Sequence, residues 1–314
     1  MKQWGISMCS GVALSLAASW GHAYEMGTYE YGLLVPNVVH NGVSDTTAVG
    51  LIADGCGVPE IDVYWTFFDN NSKHVTDGVF RMTNSDVYAF VWAEHSGLGL
   101  EGTHGYLTFF VDTNGDGALD PRDVPAGKCL AAEAFHVVAA DNDVAYVPVW
   151  PVRPSNLNGG QIPDLTLLDK TTLVTLQEGA QDRVGAGGNE TLVMRYSISN
   201  GDTTDIVVWS AESIGGPNVL YTVNMFDDEE NRKSLNFALP NEEQNIIDPA
   251  AITGRPADFV NGFIEWATPD DGLGQYTNTV GGFEGASANG IVSYSVIRSS
   301  SFSARQTVLN PHHP

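Results

Sequence analysis

Val63-Tyr64-Trp65-Thr66-Phe67-Phe68 is a run of aromatic and β-branched side chains, the composition that suits a pleated, half-buried strand. Asp69 and two asparagines close it, as turn residues do. Outward from this stretch, similar runs stand at Val87–Trp92, Tyr106–Val111, Ala145–Val152, Thr191–Ile198, Asp205–Trp209 and Val219–Met225. Each is bounded by Gly, Asn, Asp, Ser or Pro, and 34 glycines and 15 prolines supply the turns. The pattern predicts an all-β chain of antiparallel sandwiches. Helical periodicity is nearly absent, the best candidate being a turn or two within Asn241–Ile252.

The same text recurs 157 positions later. Asp45-Thr46-Thr47 aligns with Asp202-Thr203-Thr204, Tyr64 with Tyr221, Phe80 and Asn84 with Phe237 and Asn241, and Gly105 with Gly262. The apolar pattern travels with these identities. Val49 and Leu51 match Ile206 and Val208, while Tyr106, Leu107 and Phe109 match Phe263, Ile264 and Trp266. Between Tyr64 and Phe80 the second copy slips by one, setting Phe68-Asp69 against Phe226-Asp227. The fold expected is therefore two tandem antiparallel β-sandwich (Ig-like) modules related by internal duplication, each with its own core.

Residues 1–23 read as a secretory signal peptide: Lys2, a short apolar run from Ile6 to Trp20, then Gly21-His22-Ala23 as the small-x-small cleavage pattern. The first module is expected over 24–152 and the second over 187–314. The segment 153–186 connects them, with apolar runs at Leu165–Leu168 and Thr172–Leu176 as possible extra strands. The tail Pro311–Pro314 reads as frayed. No later stretch approaches the length of a membrane helix, and the strand-like runs are too short and unevenly spaced for a transmembrane barrel. Insertion in a membrane is not expected. The formal charge of −24, from 14 basic and 38 acidic residues, excludes the basic stripe that nucleic acid requires. It favours solubility and attracts cations.

Two cysteines remain beyond the leader, Cys56 and Cys129. In an oxidising compartment such an isolated pair is expected to form a disulfide. It would close a loop of roughly 70 residues, worth about 4 kcal/mol by chain entropy.

One motif carries chemistry. Asp112-Thr113-Asn114-Gly115-Asp116-Gly117-Ala118-Leu119-Asp120-Pro121-Arg122-Asp123 places side-chain oxygens at loop positions 1, 3, 5, 9 and 12, with glycine at the sharp turn of position 6. The carbonyl of Ala118 falls at position 7, and Leu119 at position 8 is the apolar residue such loops bury beside the metal. A hard divalent cation wants six to eight oxygens at once, and this spacing supplies them from one short segment. The stretch resembles the dockerin type of EF-hand loop over these 12 residues alone, and the resemblance implies one structural calcium ion. It departs in context, because a strand precedes the loop and Pro121 discourages helix within its last turn. The second copy has Thr268-Pro269-Asp270-Asp271-Gly272 at the corresponding place, without the ligand spacing.

Other motifs carry less. Gly97-Leu98-Gly99-Leu100-Glu101-Gly102 has dinucleotide-loop spacing, yet a strand follows where that chemistry needs a helix. His74, His95, Glu101 and His104 lack paired metal-ligand spacing. Trp65, Trp92, Trp150, Trp209 and Trp266 all lie in strand-like runs, where a core role is expected over a sugar-stacking platform. The expectation is an exported, noncatalytic protein, periplasmic, extracellular or on the cell surface. It would act in surface attachment, matrix or assembly, with a protein or glycan as partner. The alternatives are a carbohydrate-binding or carbohydrate-active protein and, third, a periplasmic metal-binding protein.

Overall fold

The structure, a computed structural model, describes residues 27–123, 126–152, 162–169, 191–210, 214–268 and 291–313. The leader, most of the connecting segment including 172–176, and the stretch 269–290 lie outside the described residues. Strands dominate, as the aromatic and β-branched runs require. In the first half they are β1 (Gly32–His40), β2 (Asp45–Ala53), β3 (Glu60–Asp69), β4 (His74–Thr83), β5 (Asp86–Val91), β6 (Thr103–Asp112), β7 (Leu130–Val138), β8 (Asp143–Val147) and β9 (Trp150–Val152). The second half holds β10 (Thr191–Ser197), β11 (Thr203–Trp209), β12 (Leu220–Asp227), β13 (Arg232–Ala238), β14 (Gln244–Ile247), β15 (Asn261–Ala267), β16 (Val292–Ser299), β17 (Ala304–Leu309) and β18 (His312–His313).

Among the described residues every strand pairing is antiparallel. In the second half the strand orders are β13-β12-β15-β10-β18 and β14-β11-β16-β17. The first half contains the orders β4-β3-β6-β1-β9 and β5-β2-β7-β8, strand for strand in the same sequence positions, joined where His40 of β1 pairs with Thr46 of β2. In both halves a threonine at the corner, Thr47 or Thr204, accepts a hydrogen bond from the preceding strand, from the N–H of Val39 or Ser197, at 2.9 Å.

The register corrects one detail of the sequence alignment. Asp69 pairs with Gly105 and Asp227 with Gly262, so the strand position of Tyr64 matches Thr222, and Tyr221 sits on the opposite, buried face. The one-residue slip is a β-bulge: Phe67 faces Thr76 and Phe68 faces His74, leaving Val75 as the extra residue of β4. Three smaller expectations also change. Trp92 leaves the strand and starts a one-turn helix, Trp92–His95. Within 241–252 the chain forms β14 and a single 3-10 turn, Pro249–Ala251. The tail is anchored, since His312 and His313 pair with Leu192 and Thr191. Leu165 and Leu168 are buried against the first half without forming a strand.

Numbered in the order β5-β2-β7-β8, β4-β3-β6-β1-β9, β14-β11-β16-β17, β13-β12-β15-β10-β18, the first sheet layer packs on the second and the third on the fourth, the second meets the third, and the edge strands β8 of the first and β17 of the third also lie side by side. Alternation sets the cores. Trp65, Phe67 and Phe109 point between the first two layers, where Trp65 meets Phe90 and Trp92 edge-on at 5.4 and 5.9 Å. Leu192, Tyr221, Ile264 and Trp266 fill the space between the last two. The middle joint was not foreseen. Strands β1 and β6 are buried on both faces, because Val207, Trp209, Val292 and Tyr294 of the second half belong to the first half's core. Trp209 lies edge-on to Tyr106 and Trp150 lies against Tyr294. The two cores are therefore not separate possessions of two independent halves. Buried Gln244 reinforces the joint, its Nε2 donating to the carbonyls of Pro36 and Gly105, each at 2.8 Å. Arg305 adds ion pairs to Asp141 and Asp143.

Candidate functional site

The loop 112–123 begins where β6 leaves the sheet, so Asp112 stands at a fixed, buried position. Its Oδ1 accepts from the N–H groups of Asn114 and Gly115 at 2.9 and 2.7 Å, and its Oδ2 accepts from the N–H of Gly117 at 2.7 Å. Position 12 returns to the start of the loop. Asp123, buried, accepts at Oδ1 from both N–H and Oγ1 of Thr113, at 2.9 and 2.8 Å, and at Oδ2 from the N–H of Asp120. Burial, with Asp112 nearby, pushes the Asp123 carboxyl above its usual range. Leu119 is fully buried, and its N–H and C=O both pair with Ile162. The N–H of Leu165 takes the carbonyl of Gly117. Ala118 is thus held between two pinned residues by the short strap 162–165, a contribution from the connecting segment that loop spacing did not reveal.

The remaining carboxylates face a cation of the chain's own. Arg122 bridges Asp116 and Asp120, and its hydrogen bonds hold the Asp120 carboxyl below the usual range. Arg122, at position 11, stands two residues after Asp120, which was the available signal for this pairing. Among the described residues no group of three or more His, Cys, Asp or Glu is gathered as a metal cage. The donor set still fits a hard cation: oxygen ligands only, three of them buried carboxylates, on a loop whose two ends meet. A bound calcium would take Asp112, Asn114, Asp116, Asp120 and Asp123 with the Ala118 carbonyl, and Arg122 would have to leave two of them.

Cys56 and Cys129 form the expected disulfide, with Cα atoms 4.9 Å apart and both residues fully buried. The histidines go to separate duties. His74 Nδ1 lies 2.8 Å from the carbonyl oxygen of Leu168 and its Nε2 3.1 Å from Asp77. His95 contacts the carbonyl of Val91 and the Tyr88 hydroxyl. His104 is exposed near the start of β6, and desolvation together with the nearby His136 of β7 pushes its imidazole below the usual range. The glycine-rich stretch 97–102 connects the one-turn helix to β6. All five tryptophans are buried, which removes them as a sugar-stacking platform.

Two depressions mark the second half. A cleft of about 770 Å³ opens between β13 and β14, lined by Leu220, Phe237, Ile246 and Ile252, with Asp248 at its edge. In the first half the corresponding gap is closed by Phe80 stacked on Tyr88 at 4.1 Å. A smaller one, about 300 Å³, lies on the outward face of β12, β13 and β15 and is lined by Thr222, Asn224, Arg232 and Glu265. Beside it, Phe226 stacks on Phe263 at 4.7 Å, and both rings are half-buried.

No family model matches the chain, and no curated protein does. Among solved structures, a β-glucuronidase from glycoside hydrolase family 2 aligns at 12% identity with a TM-score of 0.15. The alignment takes in 94% of this chain and 26% of that one, so this chain spans about a quarter of that enzyme's length. A likeness of that size carries no argument about function. Among the described residues no helix is long and apolar enough to cross a membrane.

Proposed function

We propose that this chain is an exported, noncatalytic protein of two Ig-like β-sandwich modules related by internal duplication, acting in surface attachment, matrix or assembly. One calcium ion would brace the loop 112–123. The observation that supports it is the recurrence of one strand order in both halves, with the aromatic side chains spent on cores and on the joint between the halves. Repeated sandwiches stacked face to face are a building element. Fractionation of the producing cell tests this. The processed chain, starting near Tyr24, should appear outside the cytoplasm and sediment with envelope or matrix material. Full-length protein in the cytoplasmic fraction overturns the reading.

A carbohydrate-binding role is the second reading. It draws on the polar depression beside the stacked Phe226–Phe263 pair, since an aromatic edge with amide, guanidinium and carboxylate groups suits a sugar ring. Saturable binding to a glycan array, lost in Phe226→Ala and Asn224→Ala, would establish it.

A further inference from the structure

We propose that copies of this chain assemble head to tail, the outward face of β5-β2-β7-β8 of one copy covering the outward face of β13-β12-β15-β10-β18 of the next. The inference rests on the assembly reading above and narrows its partner to a second copy.

The joint inside the chain is heterologous. The outward face of the second layer meets the outward face of the third, and these are different faces of the repeated strand order. The first layer is therefore the strand-for-strand counterpart of the third, and the fourth of the second. Each of these two faces has the makeup of one side of a joint whose other side is supplied by the other face.

The residues follow the same correspondence. Phe68 and Tyr106 stack at 5.1 Å on the second layer and are covered by Trp209. Their counterparts on the fourth layer, Phe226 and Phe263, stack at 4.7 Å in the same register and are half-buried. The register that places Trp209 opposite Gln244 and Val292 places Ile52 opposite Val87 and Ala131. Ile52 is the counterpart of Trp209, and it stands 39% exposed beside Val87 at 72%. Around them Ala48, Gly50, Ala89, Val91 and Phe135 face outward, and Glu133 is the one charge in these three strands' outward rows. For a chain of net charge −24, so uncharged a sheet face is anomalous.

The opposite face complements it. Arg195 and Arg232 project from it, two of only 14 basic residues in the chain, against a single carboxylate, Glu265, in the outward rows of β12, β13 and β15. Glu133 corresponds to Tyr294, which in the internal joint lies on Trp150, the residue paired with Leu34 of β1. In the repeated joint Glu133 descends onto β10, near Arg195. Backbone demands also match. In the internal joint the Gly105 carbonyl needs Gln244 from the other half. The corresponding carbonyl, of Gly262, already accepts from Arg195 Nη1 at 2.8 Å. Val87, which stands where Gln244 would, has no donor to offer and none is required.

Because the contact joins two different faces, a pair of copies leaves one of each face unmatched and adds further copies rather than stopping at a dimer. The test uses two single variants of the full chain, Ile52→Cys and Phe263→Cys, mixed with a bismaleimide whose arm spans the roughly 10 Å between packed sheets. A cross-linked dimer should form in the mixture and in neither variant alone, because the two positions correspond to Trp209 and Tyr106, whose rings meet across the internal joint. The wild type should sediment with a mass that at least doubles as concentration rises. Val87→Lys, at an exposed site, should stay monomeric with an unchanged melting temperature. A dimer of Ile52→Cys with itself would show like faces pairing and overturn the proposal. A wild type monomeric at every concentration would also overturn it, even if fractionation still places the protein on the surface or in matrix. So would a monomeric chain that uses Phe226 and Phe263 to bind glycan.

Discussion

The indole of Trp209 meets the ring of Tyr106 edge-on, centroids 5.5 Å apart and planes at 73°, across the boundary between the two halves. Both residues are fully buried, and Tyr106 also bonds to the Ser72 hydroxyl. Burial and the nearby Glu243 drive the Tyr106 phenol well above its ordinary range. Trp209→Ala should cost about 3–5 kcal/mol, the range for emptying a large aromatic site. The wild type should melt in one transition because the halves share this joint, and the variant should show two. An engineered protease site between 170 and 190 should, when cut, leave the halves associated on native mass measurement. Separation without denaturant would show that the joint contributes little.

Gly105 and Gly262 face the same obstacle in the two halves. A Cβ on Gly105 would lie 2.0 Å from the carbonyl oxygen of Phe68, and one on Gly262 1.9 Å from that of Phe226. Backbone cannot yield as a flexible side chain does, so Gly105→Ala and Gly262→Ala should each cost about 3 kcal/mol, the upper end of overpacking penalties. Chemical denaturation measures this. A loss under about 0.5 kcal/mol, as at an ordinary surface site, would show that the strands part easily here.

Asp45 ties β2 to β7 through His136, at 2.6 Å, and accepts from Asn41 at 3.1 Å. Burial alone would raise its carboxyl, but the bonds from His136 and Asn41 outweigh that and hold it below 3.8. A carboxyl depressed in the folded state contributes stability above its unfolded value, and that contribution disappears as pH falls through the folded one. Asp45→Asn should therefore be less stable than wild type at about pH 7, the two curves converging in acid as the folded Asp45 takes up its proton. A constant difference across that range would mean that ionisation of Asp45 is not what stabilises the corner.

The β pattern was legible because alternating aromatic runs state which face is buried, as at Val63–Phe68. The strand order common to both halves left a trace in Gly105 and Gly262, and the corner threonines Thr47 and Thr204 occupy matching places in it. The bulge at Val75 was visible only as a slip and misassigned Tyr64, since one residue of offset moves a side chain to the other face. The joint between halves was not legible. Val207 and Trp209 read as ordinary strand residues, Tyr294 lay in no run the sequence singled out, and nothing local distinguishes an outward apolar side chain from an inward one when both are covered. For the loop, ligand types were legible from spacing, while Arg122 and the strap at Ile162 depend on contacts that spacing does not encode.

Calcium should act through the loop at 112–123. Four carboxylates crowd there, and Arg122 offsets only two of them, Asp116 and Asp120. An affinity of about 10⁻⁴ M, ordinary for extracellular modules, would fill the site at the calcium levels common outside cells. Binding to the folded chain alone raises stability by about 2.7 kcal/mol at a hundredfold excess over Kd. Because the halves share a core, the whole transition should shift upward with calcium and fall back with EGTA. Asp116→Ala should abolish the shift, since position 5 supplies a ligand. Arg122→Ala should bind more tightly than wild type, because the metal no longer displaces a guanidinium from Asp116 and Asp120. Calorimetry and titration with calcium decide it: identical melting curves with and without EGTA, and no binding heat in either wild type or Arg122→Ala, would eliminate the site.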